Sequence, residues 1–163
     1  MSLFRCILTG FIITLLAGCG WTLSKPRTLP PALRVVHIDD SLATTFQQVL
    51  TNELSARGSL IVAAPADALT RIMAGKADIE QRDLTVDSFG KTREYTLNAN
   101  ACITIQQGLS PQRQICSRAR TRLSNDTSRV LATQLEREKR HQELRASLAQ
   151  QLINQLVASD TAL

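Results

Sequence analysis

Aromatic residues are scarce in this chain of 163 residues: one Trp, one Tyr and four Phe, 4% of the total. A core must therefore be filled by Leu, Ile, Val and Ala, and stacking of nucleic-acid bases on exposed rings has little to draw on. Histidine is scarcer still, with only His37 and His141. His37 alternates inside an apolar run and His141 lies in a charged one, so neither forms part of a catalytic or metal-binding set. There is no GxSxG, no P-loop, no HExxH and no CxxC, which removes the common signatures of serine hydrolases, nucleotide hydrolases, zinc proteases and dithiol oxidoreductases. The Asp39-Asp40 pair reads as a helix cap rather than as paired catalytic carboxylates. No catalytic residue, metal site or cofactor is assigned. The chain also lacks a membrane-spanning run, internal repeats and low-complexity tracts. Its longest apolar run, "CILTGFIITLLA" at residues 6–17, is well short of the roughly 20 residues a transmembrane helix needs.

That short run has another use. A basic residue, Arg5, precedes it, and small residues follow, which is the plan of a secretory signal peptide. Leu16-Ala17-Gly18-Cys19 resembles the bacterial lipobox. Cleavage after Gly18 would leave Cys19 as the first residue, its thiol carrying diacylglycerol and its amine a further acyl chain. Several acyl chains anchor stably where one does not. Gly20, in place of Asp, fits sorting to the outer membrane. Residues 1–18 are thus expected to be a removed signal, 19–32 a lipidated tether rich in proline, and 33–163 a single domain. The excess of 19 basic over 14 acidic residues favours anionic partners; nucleic acid is not among them for a lipidated periplasmic protein.

Along the remaining chain, "LRVVHI" at residues 33–38 predicts a strand. Asp39, Asp40 and Ser41 offer N-cap chemistry. Leu42, Phe46, Val49, Leu50 and Leu54 follow at helical spacing, and Gly58 closes the helix as a left-handed cap. "LIVA" at 60–63 restarts an extended segment. Residues 69–87 alternate partially, with an irregularity expected near Gln81–Asp83. "SFGK" at 88–91 predicts a turn, and 93–106 and 114–123 predict two long strands by strict alternation. A long helix should run from an Asn125–Asp126 cap to about Ala158, its apolar stripe including Val130, Leu131, Leu135, Leu144, Leu148, Leu152 and Leu156. The polar stretch 136–143 would overhang the sheet or be locally exposed. The expected fold class is α+β in two layers, with two helices on one face of a mainly antiparallel four-stranded sheet.

The two long strands can be registered. If their turn centres on Leu109, paired positions sum to 218: Ile103 faces Ile115, Leu97 faces Thr121 and Tyr95 faces Leu123, all on the apolar side. A one-residue slip would turn a face over. The same register sets Cys102 opposite Cys116, either as a disulfide or as unpaired neighbours. It also places Arg118, Arg120 and Arg122 in a row on the polar face, against Thr96, Asn98 and Asn100. Guanidinium groups match phosphate and carboxylate in a bidentate fork, so the row is either a binding surface for anions or a solubilising face.

Several of these residues resemble one family. The lipobox leading into Cys19-Gly20-Trp21-x-Leu23, then Leu29-Pro30, a strand ending near Asp39, Gly75-Lys76, and Gly90-x-Thr92-x-Glu94-Tyr95 before a long strand are similar to the lipopolysaccharide-assembly lipoprotein family LptE. The resemblance implies a non-enzymatic outer-membrane lipoprotein, partner of the LptD β-barrel in a 1:1 complex, which plugs the barrel, assists its assembly and binds lipopolysaccharide in transit. The polar open sheet face would then meet a polar lumen. Enteric members carry basic residues where this chain has Ser88 and Thr133, so that site does not carry over. Lys91, Arg93 and Arg129 lie close enough to substitute, alongside Arg118, Arg120 and Arg122. The competing readings are a pilot lipoprotein for another outer-membrane complex such as a secretin, and an envelope hydrolase.

Overall fold

The computed structural model describes residues 29–39, 44–125 and 130–160. The lipobox, Cys19, the tether up to residue 28, Asp40, Ser41, Leu42, Asp126 and Arg129 lie outside them. Six strands and two helices follow: β1 (Val35–Asp39), α1 (Thr45–Ala56), β2 (Leu60–Ile61), β3 (Thr70–Ala74), β4 (Asp78–Val86), β5 (Thr92–Gln107), β6 (Arg113–Ser124) and α2 (Val130–Asp160).

The sheet corrects the expectation of four antiparallel strands: it has six and is mixed. β1 pairs in parallel with both β2 and β3, while β3, β4 and β6 each pair antiparallel with β5. The parallel part follows from connectivity, since a strand that passes through a helix returns in its original direction. β2 has two residues, too few to display alternation. Residues 69–87 also form two strands rather than one. β3 pairs with Ile103–Gln107 and β4 with Thr92–Asn100, so the two lie end to end along one edge of β5. The break sits at Gly75, whose N–H donates to the Cys102 carbonyl at 3.3 Å and where a Cβ would meet that oxygen at 3.3 Å. The irregularity in β4 falls between Asp83 and Val86, slightly later than expected.

Helix α1 starts one turn later than the acidic residues suggested. Its N-cap is Thr44, which accepts from the Gln47 N–H, while the Gln47 side chain accepts from the Thr44 N–H. This reciprocal capping box satisfies two donors that the helix cannot. At the other end the expected glycine cap is present. Gly58 has φ +94°, its N–H donates to Ser55, and the Ser59 N–H donates to Leu54, the Schellman pattern.

Both helices pack on one face of the sheet, as expected. Phe46, Leu50 and Leu54 of α1 and Leu148, Leu152 and Leu156 of α2 bury against Ile72, Leu97, Ile103 and Ile105. The strand register summed to 218 holds over the whole β5–β6 pair, including Tyr95 with Leu123 and Ile103 with Ile115. The stripe assigned to the start of α2 is corrected: Val130, Leu131 and Leu135 are 61%, 71% and 65% exposed. The stripe Leu144, Leu148, Leu152 projects back at i−3 and i−4 to Arg137 and Thr133, and Leu131 and Leu135 each stand two residues, about 200°, from that face. Thr133 is buried. The Arg137 guanidinium lies 5.1 Å from the centre of the Tyr95 ring, and its Nε donates to the Tyr95 hydroxyl at 3.2 Å. A buried tyrosine hydroxyl needs a partner, and Arg137 supplies it together with a cation–π contact. Within 136–143 the remaining polar side chains are mostly exposed.

Two stability tests follow from this packing. Replacing Arg137 by Ala leaves the Tyr95 hydroxyl, on a residue 1% exposed, without its donor, and should cost about 1–3 kcal/mol in urea unfolding; the double variant with Tyr95→Phe should recover part of the loss. Cys102 and Cys116 are joined as a disulfide across β5 and β6, 14 residues apart. Paired Cys→Ala substitution should lower stability by roughly 2–3 kcal/mol, and the intact protein should gain two hydrogens in mass after reduction.

A cationic candidate site on the open sheet face

Alternation divides β5 into two unlike sides. Its odd-numbered residues, Tyr95 to Ile105, bury under the helices; its even-numbered residues form the middle of the opposite face. No element among those described covers that face. Three rows cross it in register: Asp78–Asn100–Arg118, Glu80–Asn98–Arg120 and Arg82–Thr96–Arg122. β4 therefore presents two carboxylates and the Arg82 guanidinium, β5 two neutral amides and a hydroxyl, and β6 three guanidinium groups.

The three β6 arginines are exposed, and among the described residues none makes an ion pair. Neighbours two residues apart stand about 6.8 Å apart along a strand. In water each such pair repels by roughly 0.6 kcal/mol. That cost is small enough for the row to persist unliganded, yet an anion bridging two guanidinium groups would remove it and add charge-assisted hydrogen bonds. Between β4 and β6 the surface forms a hollow of about 440 Å³ lined by Glu80, Asn98, Asn100, Arg118 and Arg120. A second hollow of the same size adjoins it at Asn100 and extends past Cys102 to Lys76 and Asp39. Such a surface offers both donors and acceptors and suits a ligand that carries anionic groups among hydroxyls.

The other two candidates within the described residues are held by a turn. The Asp87 carboxylate accepts from the Phe89 and Lys91 N–H groups, both at 2.9 Å, and pairs with the Arg93 Nε at 3.2 Å. Gly90, with φ +76°, lets the chain reverse. Arg93 shares the odd-numbered side of β5 with Tyr95, so it lies on the opposite sheet face from Arg118, Arg120 and Arg122. Lys91 is exposed in the turn itself. The structure thus groups the three β6 arginines and separates Lys91 and Arg93 from them, at the end of the sheet next to Arg122. Ser88 is exposed in the same turn as Lys91, and Thr133 is a buried residue of α2. His37 serves the scaffold: its Nδ1 lies 3.1 Å from the Val62 carbonyl. The carboxylates of β4 were not singled out by sequence reasoning. The alternation Asp78, Glu80, Arg82 carried the signal, but it pairs with no buried apolar set to mark its face.

The hydrogen bond from the Lys91 N–H, the largest influence, together with that from Phe89 and the Arg93 and Lys91 charges, holds the Asp87 carboxyl below its ordinary value of 3.8, outweighing the opposing effect of desolvation. A depressed folded value means the carboxylate stabilises the fold above the unfolded value and ceases to as pH falls through the folded one. NMR titration should find Asp87 ionising below 3.8, and in the Asp87→Ala variant the Phe89 and Lys91 amides should exchange faster with solvent while those of Ile103 and Ile105 do not.

A family model of lipopolysaccharide-assembly proteins, LptE, matches residues 31–156. None of the curated proteins matches the chain. Solved structures share its fold. A lipoprotein B from Nitrosomonas europaea is 21% identical with a TM-score of 0.69, covering 88% of this chain and 94% of its own. The rare lipoprotein B of Shewanella oneidensis is 16% identical with a TM-score of 0.67, covering 78% and 96%. A minor lipoprotein from Acinetobacter baumannii is 16% identical with a TM-score of 0.63, covering 80% and 95%. With the family match spanning most of the chain and every element from β1 through nearly all of α2, this protein belongs to the LptE family of lipopolysaccharide-assembly lipoproteins.

Proposed function

We propose that this protein is an outer-membrane lipoprotein, anchored by acyl chains on Cys19, that sits as a plug in the LptD β-barrel, assists the barrel's assembly and engages lipopolysaccharide on its way to the outer leaflet. It acts by binding, without catalysis. The observation that carries the reading is the open sheet face with its unpaired row Arg118, Arg120 and Arg122 beside neutral amides. Lipopolysaccharide presents phosphates and acidic sugars, and guanidinium groups in a row meet several anions of one molecule. The polar rather than apolar character of this face is what a water-lined barrel interior accommodates. Lys91 and Arg93 provide further positive charge at the end of the sheet next to Arg122.

The test separates partner from ligand. Native lipoprotein extracted from outer membranes should bring down the LptD barrel in equal amount, identified by mass. Recovery of a secretin ring would overturn the reading in favour of a pilot role. In binding assays with purified lipopolysaccharide, the triple variant Arg118→Gln, Arg120→Gln, Arg122→Gln should bind at least tenfold more weakly, the equivalent of one lost charge-assisted hydrogen bond. Its residual binding should also depend less on salt. Unchanged binding by that variant would remove the arginine row from the site.

A further inference from the structure

We infer that the outward face of the helical layer, formed by α1 and the C-terminal half of α2, is the surface that seats against the barrel, and that the wall it meets is uncharged and hydrogen-bonding. This rests on the plug reading above and says which side of the plug touches the wall.

The evidence is a local loss of charge. One residue in five of the whole chain is charged. Across Thr45–Ala56 and residues 146–159 the single charged side chain is Glu53. The exposed positions there are amides, hydroxyls and alanines, among them Gln48, Asn52, Ser55, Gln150, Asn154 and Gln155. The depletion is not a property of the helix as such, because residues 136–145 of the same α2 hold seven charged side chains.

The two helices form one continuous surface. The Gln150 Nε2 donates to Glu53 at 3.4 Å, and the Arg57 guanidinium donates to Asn154 at 2.8 Å. Both links join residues 97 apart in sequence, so α1 and α2 run side by side in the same direction. These links also turn the two charges at the seam, Glu53 and Arg57, onto neutral partners of the neighbouring helix.

A helix face that only meets water gains from Lys, Glu and Arg, which is why such faces are usually charged. A face that is to be buried against another protein does better without them. Removing an ion from water costs several kcal/mol, whereas amides and hydroxyls lose less and regain it through hydrogen bonds across the contact. The cores of protein–protein interfaces are depleted in Lys, Glu and Asp for the same reason. The matching occupant is a wall of uncharged polar and small side chains. The charged sheet face, on the opposite side of the molecule, is then left towards the space through which an anionic ligand passes.

The experiment places one charge at a time. Full-length lipoprotein carrying Gln48→Lys, Gln155→Lys or both is expressed with its native partner, and the LptD barrel is recovered by pull-down. Gln142→Lys, an exposed amide in the charged half of α2, is the control. The double lysine variant should recover at least tenfold less barrel, with Gln142→Lys at the wild-type level and all variants unfolding at the wild-type temperature. If Gln48→Lys/Gln155→Lys lowers the unfolding temperature, the carboxylate pair Gln48→Glu/Gln155→Glu replaces it, since charge of either sign should act alike. Wild-type recovery by folded double variants overturns the inference and leaves the plug reading standing. Failure of the wild-type protein itself to recover the barrel overturns both. Sedimentation showing a wild-type dimer that the lysines dissociate would name a second copy of this chain as the occupant and overturn the inference as well.

Discussion

The pairing of β5 along both of its edges fixes nearly everything else in the molecule. β5 is 16 residues long, about three times the usual strand. β6 follows one edge for twelve residue pairs, and β3 and β4 divide the other between them. Because its alternation is strict, one choice of register decides which side chains meet the helices and which meet the outside. A slip by one would drive Asn98, Asn100 and Thr104 into the core and expose Leu97, Ile103 and Ile105. Hydrophobic burial under α1 and α2 thus sets the composition of the opposite, open surface without touching it.

The two surfaces created in this way differ in kind. The sheet face sets carboxylates opposite arginines in two of its rows, Asp78 with Arg118 and Glu80 with Arg120, and arginine opposite arginine in the third, Arg82 with Arg122, with neutral groups between them. The helical face is almost free of charge over α1 and residues 146–159 of α2, and charged again from Arg145 towards the start of α2. Family membership supplies the biological setting, lipopolysaccharide assembly, and the structure distributes the chemistry across opposite sides of a two-layer domain.

Much of this was legible in the residues alone. The β5–β6 register could be computed because both strands alternate strictly and their turn is short, so a single sum placed every pair. The glycine cap of α1 was visible because few residues other than Gly accept φ near +94°. Other features depended on partners that are distant in sequence. Nothing local marks Val35–Asp39 as parallel to Thr70–Ala74, since parallel pairing is decided by the route of the connection. Leu131 and Leu135 fit an apolar stripe on a helical wheel, yet the rotation of α2 is set by Leu148 and Leu152 downstream and by the need of the Tyr95 hydroxyl for Arg137. The N-cap of α1 was misplaced because Asp39, Asp40 and Ser41 are all acceptable caps, yet none of them has a glutamine or glutamate three residues on, whereas Thr44 has Gln47 to complete the reciprocal pair.

The division of one β5 edge between β3 and β4 has a consequence for the order in which the chain can assemble. β4, β5 and β6 form a meander whose contacts are joined by turns of a few residues, so their closure costs little entropy. β1 must find β3 across an intervening helix, with Val36 meeting Thr70. On contact-order grounds the meander is expected to form first, with the N-terminal third recruited to it. The sheet face that carries the arginines is made of β4, β5 and β6 alone, so on this expectation it would be complete before β1 has found its place.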